Sequence, residues 1–127
     1  MLRMVLCAAA GGAIGAAGRY LVGVGVIRFI GYGFPWATVI VNVVGSFLMG
    51  VLIETMAIRF SASNEMRTFL ITGILGGFTT FSAFSLDFAL LYERKEYISS
   101  LLYLLGSVSL SIFALFAGLS LMRQTLQ

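Results

Sequence analysis

The feature that most constrains this chain is a succession of four apolar runs, at residues about 4–30, 34–58, 66–92 and 97–122, joined by the short stretches 31–33, 59–65 and 93–96. Crossing a hydrocarbon layer as a helix takes roughly 20 apolar residues, because the backbone must satisfy its own hydrogen bonds there. Each run is long enough. Connections this short force consecutive helices to run antiparallel, which predicts an all-α membrane protein: a compact up-down bundle occupying residues 1–127 as one transmembrane domain. Composition agrees. Of 127 residues 60% are hydrophobic and 10% charged, whereas a soluble domain carries about 25% charged residues, so lipid must serve as part of the solvent. The first run is not a cleaved signal, since it is too long, carries Arg19 in a glycine-rich second half and is followed by three more spans.

Much chemistry is excluded at this level. With one cysteine, Cys7, and no histidine there is no internal disulfide and no thiolate or imidazole cluster for zinc or haem. No nucleophile, base and orienter set, phosphate-binding glycine loop or nucleotide motif is present, so neither an enzyme nor an organic cofactor is expected. The net charge of +3 does not indicate a nucleic-acid surface, because the basic residues sit singly at the ends of apolar runs as interfacial anchors. Their distribution bears on orientation. Four spans place Arg3, Arg59, Arg67 and Arg123 on one side, and Arg28, Arg94 and Lys95 on the other, with Arg19 able to join them. Such a balance gives the insertion machinery almost no bias. Dual topology is therefore expected, with copies inserted both ways up that pair as an antiparallel homodimer. The alternative is a single orientation set by Arg3 or Arg28 alone.

Several polar and small residues interrupt the apolar spans. Gly11, Gly12, Gly15 and Gly18 let another backbone approach helix one closely; Arg19, costly in hydrocarbon, must snorkel, pair or border an aqueous vestibule. In helix two Thr38, Asn42, Ser46 and Met49 share a face. Asn42 can tie helices together or donate to a passing anion. Helix three reads Gly73-Ile-Leu-Gly76-Gly77-Phe78-Thr79-Thr80-Phe81-Ser82-Ala83-Phe84-Ser85, a run that predicts a break near mid-membrane. Broken backbone at that depth is tolerated only inside protein or along a water-filled cavity, and it frees carbonyls for a hard cation such as Na⁺. Phe81, Phe84 and Phe88 recur at helical spacing and are expected to line one face with Ser85. They read either as packing or as phenyl edges whose partial positive charge faces an anion. In helix four Tyr103, Ser107 and Ser111 form a hydroxyl track. Asp87, one turn inside the end of helix three, reads as a capping or pairing residue or as part of a pore mouth.

These motifs together resemble the Fluc, or CrcB-type, family of fluoride channels over essentially the whole chain: Gly-x-x-Gly-Arg19, Val41-Asn42-x-x-Gly45-Ser46-Phe47, and Gly76-Gly77-x-Thr79-Thr80-Phe81-Ser82-x-Phe84-Ser85. The resemblance implies a fluoride-selective channel in the bacterial inner membrane that exports fluoride passively and lowers its cytoplasmic concentration. It further implies an antiparallel dual-topology dimer with two pores, and a structural Na⁺ at the dimer interface held by main-chain oxygens of Gly76 and Thr79. By the same match Phe81 and Phe84 are the pore phenylalanines, Asn42 a pore donor, and Ser82, Thr38, Tyr103, Ser107 and Ser111 polar lining. The chain departs from the pattern at Ala83, where members commonly carry Thr, so a hydroxyl is missing. Two other readings compete: a small multidrug-type proton-coupled exporter, which would need a carboxylate in the middle of helix one, and a scaffold subunit, which would leave the polar track unexplained.

Overall fold

The computed structural model describes residues 1–127 and is all-helical, with no strands. Four segments are long and apolar enough to cross a membrane. They are α1 (Leu2–Phe29), α2 (Trp36–Ile58), a composite third segment, and α6 (Tyr97–Leu126). The third segment is assembled from α3 (Asn64–Arg67), a π-helix (Thr68–Leu75), α4 (Gly76–Phe78) and α5 (Ser82–Glu93). Ser63 caps its start by accepting the Met66 N–H at 3.1 Å. The α1–α2 turn uses Gly31 and Gly33 at φ of 94° and 119°, a region that glycine enters without steric cost.

Only 17 of 127 residues are buried within the subunit, too few to sustain a fold in water, so the surroundings must cover side chains such as Leu105, Phe113 and Phe116. Inside the bundle, packing rests on glycine. The helices form two close pairs, α1 with the π-helix and α4, and α2 with α6. At Gly11 and Gly15 an added Cβ would strike the carbonyls of Phe69 and Ile74; at Gly50 and Gly118 it would strike those of Leu115 and Phe47. Backbones approach this closely only where side chains are absent, which replaces the hydrophobic drive that lipid removes. The π-helix, which hydropathy does not announce, lays the Gly73 backbone against Gly11 of α1, and α4 lays that of Gly77 against Gly12.

Helical bonding is interrupted half-way along the third segment. Thr79 is extended, at φ −83° and ψ 160°, and α5 begins only at Ser82. Phe81 stands at its N-cap already in helical conformation, φ −89° and ψ −34°, and its carbonyl accepts the Ser85 N–H at 2.9 Å, so it is in register with the rings that follow. The face expected for Phe81, Phe84, Phe88 and Ser85 divides across its width: Phe84 and Phe88 turn inward to a cluster with Leu91 and Tyr103, while Phe81 and Ser85 on its other flank face outward.

Candidate functional site

The interruption is held by side chains from two other helices. Asn42 of α2 clasps Thr80 through both ends of its amide: Oδ1 accepts the Thr80 N–H at 2.8 Å, and Nδ2 donates to the Thr80 carbonyl at 3.0 Å. Gly45, one turn along α2, leaves the room this requires, since a Cβ there would strike the Thr79 methyl. Arg19 of α1 donates from Nε to the Gly77 carbonyl at 3.1 Å. Of the three readings for Arg19, pairing describes this contact. Arg19 also lines a cavity of about 400 Å³ with Thr38, Thr80 and Ala83. The missing Ala83 hydroxyl would fall on that cavity.

The carbonyls of Gly76 and Thr79 fit a hard cation. Their regular helical donors would be the N–H groups of Thr80 and Ala83, but these go to Asn42 Oδ1 and to Thr80 Oγ1 at 3.1 Å. Gly76 is also exposed. Main-chain oxygens so placed suit Na⁺, which prefers oxygen ligands and needs no titratable side chain.

Beside the interruption lies an open cleft of about 390 Å³ between α2, α5 and α6. It brings together Asn42, Phe81, Phe84, Ser107 and Ser111. The two rings meet at 5.7 Å between centroids, yet their exposure differs widely: Phe81 is 77% exposed and Phe84 6%. Ser107 is buried and its hydroxyl has no partner within the subunit, which costs free energy unless something enters the cleft to accept or donate. Asn42 retains one amide N–H after bonding to Thr80. No titratable side chain lines this cleft.

Thr38 and Tyr103 are not part of it. Both donate to the same oxygen of Asp87, at 2.6 Å and 2.9 Å, so α2, α5 and α6 converge on one carboxylate. Asp87 reaches a further cavity of about 350 Å³ that opens beside Phe34 and Arg94. Of its sequence readings, pairing describes this contact. Ser82 is exposed at the start of α5, 3.4 Å from the Thr80 hydroxyl and outside the cleft.

Four membrane-capable helices, glycine-packed around an interrupted span and an uncharged polar cleft, define a small polytopic membrane protein. The chain belongs to the CrcB family: residues 6–119 match the family described as CrcB-like protein, Camphor Resistance (CrcB). It is similar to proteins named fluoride-specific ion channel FluC. That of Agrobacterium fabrum is 58% identical over 115 residues, covering 91% of this chain and 92% of the relative. Those of Rhizobium meliloti and Rhodospirillum centenum are 55% and 52% identical, covering 94% and 96% of this chain and 95% and 97% of theirs.

Proposed function

We propose that the chain is the subunit of a fluoride-selective channel that lets fluoride leave the cytoplasm passively across the bacterial inner membrane and so lowers its concentration there. The observation that carries the reading is the uncharged cleft at the helix interruption, in a chain whose relatives at 52–58% identity are named fluoride-specific channels. Fluoride is small and strongly hydrated, so a passage must replace its water with donors. Asn42 offers its second amide N–H, Ser107 an unpartnered hydroxyl, Ser111 another, and Phe81 and Phe84 the positive edges of their rings. A fixed cation would hold the ion too tightly to conduct; a narrow set of neutral donors binds and releases it, and selects against larger chloride. Thr38 and Tyr103 have their hydroxyl protons committed to Asp87. An ion passing that point must exchange donors with a carboxylate, which makes this end of the track a barrier.

In this reading two copies of opposite orientation meet, each exposing Gly76 and Phe81 to the other, so that each pore takes residues from both. Balanced cations at the two ends favour such dual insertion. Pairing with a related subunit is the alternative arrangement. Na⁺ at the meeting point, held by Gly76 and Thr79 oxygens of each copy, would supply fixed positive charge that ties the copies together. The small multidrug-type exporter loses ground because no carboxylate stands in the middle of α1.

Liposomes loaded with fluoride test the function directly. With a potassium ionophore to set the voltage, a fluoride electrode outside should register rapid release, and a chloride electrode under the same conditions should stay flat. Equal release of both ions, or of neither, would overturn the assignment.

A further inference from the structure

Which carbonyls of the interruption stay free is decided by side chains distant in sequence. A continuous helix would direct the Thr80 N–H to Gly76 O and the Ala83 N–H to Thr79 O. Two side-chain oxygens take these protons instead: Asn42 Oδ1 at 2.8 Å and Thr80 Oγ1 at 3.1 Å. Elsewhere in the same stretch the carbonyls are satisfied by side-chain donors, Gly77 O by Arg19 Nε at 3.1 Å and Thr80 O by Asn42 Nδ2 at 3.0 Å. So Gly77 and Thr80 receive donors, while Gly76 and Thr79 are deprived of theirs and given none from a side chain.

We infer that Asn42 and Thr80 are positioning residues for the cation site: their side-chain oxygens divert the Thr80 and Ala83 amides and so keep the Gly76 and Thr79 carbonyls available to a monovalent cation. The inference rests on the sodium reading given above. It also assigns Asn42 a double duty, because the same amide that clasps Thr80 borders the anion cleft. Its acceptor end serves the cation site and its donor end serves both the Thr80 carbonyl and the passing anion. Removing the acceptor lets the diverted N–H return to its helical carbonyl, a bond that must break again before that oxygen can ligate. This weakens cation binding about fivefold per diverted amide.

The test is the shift in unfolding temperature of the purified protein as NaCl replaces N-methylglucamine chloride at constant ionic strength, alongside fluoride flux. Asn42→Ala and Thr80→Val, which remove the acceptors, should each raise the sodium concentration for half-maximal stabilisation by about fivefold. Thr80→Ser retains an acceptor oxygen and should stay within about twofold of wild type, and Asn42→Asp, which retains one and adds a negative charge, should not weaken sodium stabilisation. Asn42→Asp should nonetheless lose fluoride flux, since it places a carboxylate without donors in the anion cleft, and this split separates the positioning role from general damage to the fold. A saturable sodium effect in wild type that Asn42→Ala and Thr80→Val leave unchanged would overturn the inference and leave the sodium reading standing. No sodium effect in wild type would remove both. If Asn42→Ala and Thr80→Val fail to fold, Asn42→Asp and Thr80→Ser decide: weakening of sodium stabilisation in either overturns the inference.

Discussion

Phe81 and Phe84 are expected to fail in different ways when each is replaced by isoleucine. Lipid is as apolar as a protein core, so moving a ring between them changes little transfer free energy and leaves packing as the term that differs. Phe84 is enclosed, with its ring 5.0 Å from Tyr103 and 5.7 Å from Phe81 between centroids. Phe81 has only the second of these pairs and is otherwise exposed on the subunit. An aromatic pair contributes about 0.5–1.5 kcal/mol beyond its buried area, so Phe84→Ile should destabilise the subunit by about 1–3 kcal/mol and Phe81→Ile by about half as much. Both should nearly abolish fluoride release, because isoleucine has no positive edge to offer the ion. Unfolding by SDS titration, followed through the single tryptophan Trp36, gives the stabilities, and the fluoride electrode gives the flux. Equal destabilisation by the two changes would refute the packing argument. Wild-type flux in both variants would refute the role of the rings.

Gly50→Ala and Gly118→Ala should each destabilise the α2–α6 pair by about 1–3 kcal/mol through overpacking, and the double variant should cost less than their sum because the first substitution already separates the helices. Gly25→Ala, where an added Cβ meets nothing within 4 Å, should be neutral or stabilising by up to about 1 kcal/mol in the same SDS titration. Asp87→Ala leaves the buried Thr38 and Tyr103 hydroxyls without their acceptor, an expected loss of about 1–3 kcal/mol per hydroxyl, part of which Tyr103→Phe should restore; a double-mutant cycle with no coupling would contradict the shared carboxylate. Lysines added to the 59–65 loop should force one orientation and abolish flux, and co-expression with a copy biased the other way should restore it. Flux that survives in singly oriented protein would refute the antiparallel arrangement.

The spans, the close-packing glycines of α1 and the weakness of the helix at Gly76 to Ser82 could all be read along the chain. Each is a local response to one solvent. Lipid demands runs of apolar residues, tolerates glycine where backbones touch, and makes a cluster of glycines and threonines at mid-span conspicuous. Partnerships across the bundle were not legible in the same way. Arg19 meets Gly77 across 58 positions and Thr38 meets Asp87 across 49, and no spacing along either helix distinguishes a snorkelling arginine or a capping aspartate from these contacts. Phe81 and Phe84 looked equivalent because periodicity places them on one helical face, but residues three apart differ by about 60° around a helix, and the neighbouring helices cover only the Phe84 side.

By itself, then, the chain determined its solvent, its number of crossings and the place where a helix would give way, because hydrocarbon acts on each residue separately and leaves a pattern in the order of residues. Tertiary structure alone decided which hydroxyls remain free and which are tied to Asp87, which carbonyls are satisfied and which ring turns inward. Those outcomes depend on the distance between helices, and that distance is set by glycine contacts between segments far apart in sequence.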